Sequence, residues 1–406
     1  MKILIYGVNY APELTGIGKY SGEMAEWLVA QGHEVRVVTA PPYYPEWKLS
    51  KGFANRFSQE DIHGVKVLRC PLYVPATPSG LKRIIHLASF ALSSFPVMLK
   101  QVFWKPDLVM VLEPPLFCSP TAWLTSRLAG GKCWLHVQDF EVDAAFDLGI
   151  IPFAWMKAFV SNLERWLMQR FDVVSTISHS MLARLKDKGV NAPVFFPNWS
   201  DLSQIRYDAV EGSTFRAGLN VLPEHCLCLY SGNIAVKQGL EIILNVAKEL
   251  TDYQFVICGE GASKFDLQNK SKELLLNNII FLPLQPLEKL SAMLSAADIH
   301  LVVQKGGAAD LVMPSKLTNI LAVGGAAIVT TESDTELGRL ARGDAPCVLS
   351  CEPENEEALI MAIKQLNADK RLHAALQRNA MAYATQHIDM NEVLGKLENK
   401  MLEFIK

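Results

Sequence analysis

The chain has 406 residues, half of them hydrophobic and 20% charged, and 39 Lys+Arg against 42 Asp+Glu give a formal net charge of −3. That length suits two or three domains, and the composition excludes a disordered chain, a collagen-like fibre and a small disulfide scaffold. The near-neutral balance gives no global pull on nucleic acid, which is not expected as a partner.

The opening MKILIYGVNY reads as a first strand, not as a secretory signal. Short β-branched runs at 3–7, 35–40, 65–70, 108–112, 133–138 and 173–178 alternate with helix-length segments at 18–31, 81–103, 119–129 and 154–170. Near-continuous apolar strands with intervening helices imply a parallel sheet covered on both faces. The uncharged run 84–99 carries His86 and Pro96 and is about four residues short of the ~20 that span a bilayer. It reads as a buried or interfacial helix. Residues 197–225 are polar, turn-rich and weakly periodic, as an inter-domain connection would be. The alternation restarts with strands at 227–232, 254–259, 279–283, 299–304, 326–331 and 347–352. Helices are expected near 239–250, 264–276, 286–297, 315–323, 334–342 and 354–367, and the tail after 370 has helical spacing without a strand. The fold class is therefore α/β, with two doubly wound units in series. Such sheets bind ligands beyond the carboxyl ends of their strands. The eight cysteines are scattered with no CxxC, so zinc is not expected; Cys226 and Cys228 share one strand face and read as packing residues.

Candidate site residues follow the strand ends. Gly16 and Gly18 lie in a loop before a helix starting near Lys19, where a backbone can approach a ligand. Their spacing does not match a dinucleotide fingerprint, and an ordinary strand–helix turn explains them equally well. In YSGNIAVKQG, Gly232 and Asn233 end a strand and Lys237 follows, an arrangement suited to a diphosphate; Gly259 and Gly261 repeat the glycine turn one strand later. In MPSKLTNILAVGG, Ser315 is a plausible N-cap and Lys316 lies in the first helical turn. A lysine there opposes the helix dipole, which makes sense if an anion binds on it; a solvated surface lysine is the alternative. Gly324 and Gly325 read as the C-cap pair. His136, Gln138, Asp139, Glu141 and Asp143 cluster at or after a strand end, as candidates for work at a reacting centre or as cap and core residues.

Taken together, PELTGIGKY, GHEVRVVTA, FPNW, SGNI, GEG and PSKLTNILAVGG resemble glycosyltransferase family 4, retaining enzymes of the GT-B fold, along nearly the whole chain. That resemblance implies two facing Rossmann-like domains, 1–200 receiving the acceptor and 201–385 the sugar nucleotide, with a C-terminal helix, 386–406, returning to the first domain. It implies no cofactor and no metal, with helix N-termini and basic side chains stabilising the departing diphosphate. Donor contacts would fall on Gly16, Gly18, Gly232, Asn233, Lys237, Gly259, Gly261, Ser315, Lys316, Leu317 and Asn319, and His136 and Asp139 would be catalytic. Leu311 and Asn319 stand where many members carry a Glu-x7-Glu pair, with Asp310 beside the first, and Asn233 stands where Arg is common.

The stretches APELTGIGKY, RCPLYVP and LVVQKGGAADLVMPSK point further, to the exopolysaccharide-building members. These imply GDP-fucose as donor, an undecaprenyl-diphosphate-linked sugar, with glucose the expected one, as acceptor, and work on the cytoplasmic face of the inner membrane. Segments 81–104 and 150–171, basic and aromatic on amphipathic helices, suit a membrane surface; helices packed on a sheet look similar. The rivals are a sugar-nucleotide 2-epimerase, a non-catalytic sugar-nucleotide-binding scaffold and, least, a dehydrogenase.

Overall fold

The computed structural model describes residues 1–13, 16–77, 79–113, 116–140, 142–143, 154–306 and 314–405. The chain divides into two compact units, Met1–Pro197 together with Leu394 onward, and Asn198–Val393.

The first unit runs β1 (Lys2–Tyr6), α1 (Gly16–Ala30), β2 (Glu34–Thr39), β3 (Ser58–Ile62), β4 (Val65–Arg69), α2 (Gly80–Gln101), β5 (Leu108–Glu113), α3 (Ser119–Ala129), β6 (Lys132–Val137), α4 (Ala154–Met168), β7 (Val173–Thr176), α5 (His179–Asp187) and β8 (Val194–Phe195). Among the described residues its strands lie in the order β3-β4-β2-β1-β5-β6-β7-β8. All neighbours are parallel except β3 and β4. β1, buried from Ile3 to Tyr6, is central, as its unbroken apolar run requires.

Periodicity did not foresee β3, α5 or β8. β3 reads SQEDI, a polar edge strand whose hairpin partner supplies the apolar face. Its two-residue turn, His63-Gly64, has positive φ at both positions, the hairpin conformation that suits glycine at 64. Arg69, on the same buried face as Val65 and Val67 and 1% exposed, pairs with Glu60 and donates to the carbonyls of Ala40 and Ala11 at 2.8 and 2.7 Å. α5 starts on Ser178, whose hydroxyl accepts the Met181 N–H.

The second unit comprises α6 (Ala209–Gly218), β9 (Cys226–Ser231), α7 (Glu241–Glu249), β10 (Tyr253–Cys258), α8 (Lys264–Glu273), β11 (Ile279–Leu282), α9 (Leu287–Ser295), β12 (Ile299–Val302), α10 (Ser315–Ala322), β13 (Ala327–Thr330), α11 (Glu336–Leu340), β14 (Leu349–Cys351), α12 (Glu356–Ala368) and α13 (Lys370–Tyr383). Among the described residues the strands are all parallel and follow the order β11-β10-β9-β12-β13-β14. β9 shows how the sheet builds two cores. Cys226, Cys228 and Tyr230 pack into one, Leu227 and Leu229 into the other, with the period of two that a strand imposes. Both cysteines are unpaired and buried.

The stretch 197–225 is not a linker. Asp208 caps α6 through the N–H groups of Val210 and Glu211, and α6 packs on α9 with Gly212 against Ser295. This helix lacks a clear apolar stripe, since only a narrow side of it, at Gly212, is buried. The last helix, α14 (Met390–Ile405), is counted from Leu394 with the first unit. There Glu398 meets His33 at 2.7 Å and Phe404 stands edge-on to Trp134. Among the described residues no helix is long and apolar enough to cross a membrane.

Candidate active site

In the second unit the carboxyl ends of β9 and β10 come together through glycine. Gly232 follows β9 with φ 144°, and its N–H donates to the Cys258 carbonyl at 2.9 Å. Gly259 and Gly261 follow β10 with φ 156° and 155°. A Cβ on Gly259 would stand 1.8 Å from the Gly232 carbonyl oxygen, and one on Gly261 would stand 2.1 Å from that of Ile234. No side chain fits at either position, so the two loops touch backbone to backbone. The Ile234 N–H donates to the Glu260 carbonyl at 2.8 Å and completes the link.

Lys316 enters this junction from α10. Its Nζ lies 4.1 Å from the centroid of the Tyr230 ring, and its chain runs along Gly232, with Cδ 3.3 Å from where a Cβ would be. A Cβ at 232 would crowd that path, and the positive φ there also favours glycine. Tyr230 is fully buried, and its hydroxyl donates to the Asn233 carbonyl at 2.7 Å. One residue therefore holds both the cation and the loop beside it. Burial, and secondarily the positive charge of Lys237, lower the Lys316 pKa to about 7. Burial disfavours the charged form, and Lys237 disfavours a further positive charge beside it. A pair of mutually repelling cations at a glycine junction is a place that binds an anion well.

The other expected donor residues are distributed differently. Lys237 sits in a 3-10 turn, 236–238, and its carbonyl accepts from the Lys305 N–H. Gly239, expected to begin a helix, closes that turn with φ 62°, and α7 starts two residues later. Ser315 is not the N-cap. Pro314 holds that position, Ser315 is the first helical residue with its side chain exposed, and no side-chain cap bond forms. Proline carries no N–H and pre-sets an extended entry, so the helix starts without a hydroxyl cap. Leu317 is also corrected. It is fully buried in the core between α10 and the sheet, because it lies on the inner side of the helix. Asn319 is half-buried, and its Oδ1 accepts from the Ser200 hydroxyl at 2.9 Å. Gly324 and Gly325 do cap α10: their N–H groups reach Leu321 and Ile320 at 3.0 and 2.8 Å, a Schellman pattern. Asp310 and Leu311 lie outside the described residues, as does Glu141.

Gly16, Gly18, His136 and Asp139 belong to the first unit. Gly16 and Gly18 are in the first turn of α1, not in a loop before it. The space beside Gly18 is filled by the chain itself: a Cβ there would stand 2.6 Å from Glu13 Oε2. Glu13 is buried and accepts from the N–H groups of Tyr43 and Tyr44 at 3.0 Å each, and from Asn9 at 2.8 Å. Burial raises its pKa against these three hydrogen bonds. The glycine makes room for a carboxylate, which its own position in the PELTGIG stretch did not reveal.

His136 lies inside β6 and is 1% exposed. The Gln138 amide lies 3.3 Å from Nε2, and Nδ1 lies 2.9 Å from the Ser175 hydroxyl, which also accepts from Trp134. With Gln138 donating, Nδ1 carries the proton. Burial pushes the ring pKa down to about 3. A neutral ring with both nitrogens engaged is a core histidine, so its expected catalytic part, at the acceptor hydroxyl or the developing charge on the sugar, is corrected. Asp139, two residues past the strand, is exposed. Asp143 accepts from Arg184 at 2.9 Å and Lys188 at 3.1 Å, and is an anchor of the fold.

Tyr230 and Glu13 are the residues that sequence reasoning missed. Tyr230 could have been suspected as the large aromatic directly ahead of the S-G-N turn.

Two family models match the chain: a glycosyl transferase 4-like domain over 15–199 and glycosyl transferases group 1 over 214–383. The chain is 46% identical to WcaI of Escherichia coli (strain K12), by name a colanic acid biosynthesis glycosyl transferase, covering 98% of this chain and 99% of that one. Among solved structures it is similar to a sucrose-phosphate synthase from Thermosynechococcus elongatus, with TM-score 0.78 and 16% identity over 99% of both chains. It is also similar to Anabaena HepE in complex with UDP, with TM-score 0.73 and 14% identity over 99% of this chain and 100% of that one. The last two likenesses concern the fold, which is GT-B.

Proposed function

Because the chain belongs to the glycosyl transferase 4-like and group 1 family and is a glycosyltransferase, we propose that it is a retaining, metal-independent enzyme of exopolysaccharide assembly. It transfers fucose from GDP-fucose to an undecaprenyl-diphosphate-linked sugar of a colanic-acid-like polymer, as a peripheral protein of the inner membrane. The pathway and its substrates rest on the likeness to WcaI and on the sequence stretches named above. The single observation that supports the chemistry is the Lys316 ammonium over Tyr230, against the glycine junction of β9 and β10, with Lys237 as a second cation.

The chemistry needs such a site. As the bond from the anomeric carbon to the β-phosphate oxygen breaks, negative charge collects on the diphosphate. Preorganised cations lower the barrier if they meet that charge more strongly in the transition state than before it. Lys316 and Lys237 hold the leaving diphosphate, with the backbone of Gly232, and the nucleoside base lies near Gly259–Gly261 and 281–284. The acceptor oxygen forms its bond on the face the leaving group vacates, and its proton passes to the departing phosphate. No side-chain base is obligatory on that route, which suits a neutral, buried His136; Asp139 is left to orient the acceptor hydroxyl.

The test supplies GDP-fucose and the lipid-linked acceptor in the presence of a chelator. Fucosyl-lipid product with the anomeric configuration kept, unchanged by added manganese, is the expected result. Restoration of activity only by manganese would remove the metal-free part. Conversion of sugar nucleotide without acceptor would make the protein an epimerase, and nucleotide binding without turnover on any lipid acceptor would make it a scaffold.

A further inference from the structure

The helices that cross one face of the first sheet share a property that sugar transfer does not use. α2 and the 3-10 turn continuing it, 102–104, carry Leu81, Ile85, Leu92, Phe95, Leu99 and Phe103 at steps of 4, 7, 3, 4 and 4 residues. Those steps keep all six on one side of a helix about 30 Å long. The opposite side, with His86, Phe90, Ser94 and Met98, is the one buried on the sheet. Leu92 is 76% and Phe103 88% exposed, and Leu81, Ile85 and Phe95 are exposed as well. α4 repeats the pattern with Phe159, Leu163 and Trp166, all exposed. A helix on a sheet ordinarily turns its polar side to water; these two are apolar on both sides.

Topology gives the stripes a common face. The connections β4 to β5, β5 to β6 and β6 to β7 all step in one direction along the sheet. Right-handed crossovers then lay α2, α3 and α4 on the same side. Charge selects the occupant. The three helices contain six basic residues and one acid, Glu164. Glu164 is 1% exposed and bound to Lys188. In a chain of net charge −3, these three helices therefore offer apolar side chains and bases and no exposed carboxylate. A second copy of the chain would set bases against bases across a twofold axis; a layer of phosphodiesters would not.

We propose that the outer face of α2, α3 and α4 docks on an anionic phospholipid bilayer. The helices lie in the plane of the membrane, the stripes enter the headgroup layer, and Lys82 and Lys100, on the flank of the α2 stripe, meet lipid phosphates. This deepens the reading above, since a lipid-linked acceptor is presented at such a surface.

The experiment is flotation of the full chain with phosphatidylcholine vesicles, with and without phosphatidylglycerol, in the absence of donor and acceptor. The protein should float with the anionic vesicles. A Leu92→Ser/Phe103→Ser variant should bind about 10-fold or more weakly, and Lys82→Gln/Lys100→Gln about 25-fold more weakly. Both variants should keep the wild-type melting temperature and GDP affinity, since none of the four side chains is buried and all four belong to the first unit. No flotation, flotation indifferent to phosphatidylglycerol, or variants that float like wild type would overturn the proposal. So would light scattering that shows a dimer dissolved by Leu92→Ser/Phe103→Ser. Loss of nucleotide binding in the wild type would instead count against the donor site and leave the flotation result standing.

Discussion

Lys316 is where a single proton should be visible in ligand binding. With a pKa of about 7, roughly half the free protein carries the ammonium at pH 7 and roughly one-eleventh at pH 8. A bound diphosphate holds that proton, so the pKa is higher in the complex than in the free protein. By linkage, binding then takes up a proton, and affinity falls as pH rises through 7. The expected weakening for GDP is about three- to fivefold between pH 7 and 8 and about two- to sixfold more between 8 and 9, levelling off at what the charge is worth. Two variants isolate the effect. Lys316→Arg stays charged throughout and should lose the slope. Lys316→Ala should also lose it, and bind about 10- to 150-fold more weakly at pH 6, the equivalent of one charge-assisted hydrogen bond of about 1.5–3 kcal/mol. The assay is titration calorimetry in two buffers of different ionisation enthalpy, which counts the protons directly. Ionisation of the nucleotide itself is common to all three proteins and cancels in the comparison. An equal slope in wild type and Lys316→Arg would refute the reasoning.

Other expectations follow from the packing. Gly259→Ala drives a Cβ to 1.8 Å from the Gly232 oxygen, so the strand ends must part; a loss of about 3 kcal/mol or more and of nucleotide binding should appear in denaturant titration and calorimetry. Lys188→Ala strips the buried Glu164 and Asp143 of their common cation and should cost about 3–5 kcal/mol in urea unfolding. Acid should destabilise both units. Burial depresses the folded pKa of His136 to about 3 and of His300 to about 4. Their contribution is present above the ordinary histidine range and is lost as pH falls from about 6.5, at about 1.4 kcal/mol per pH unit for each ring. A melting temperature unchanged between pH 7 and 5 would contradict that.

Strand and helix positions in the second unit were legible because each strand is a short apolar run between turn residues and each helix has its own amphipathic period. Where those local signals were weak the reading failed. β3 is polar on an edge, α6 buries only a narrow side, and β8 has two residues. The candidate site was half legible. Gly232, Gly259, Gly261, Lys237 and Lys316 stood out as glycines and lysines at strand and helix ends, where the chemistry of a backbone turn is written in one or two residues.

The meaning of the neighbouring residues depended on what lies across space from them. Gly18 faces Glu13 instead of a ligand, Leu317 and His136 are turned inward, and Tyr230 lies under Lys316. Hydrophobic period and turn residues act over a few positions of the chain, so α/β layering can be read along it. The depth of a side chain and the partner of a cation depend on which distant strands and helices become neighbours, and here that joins residue 230 to residue 316 and residue 13 to residues 43 and 44.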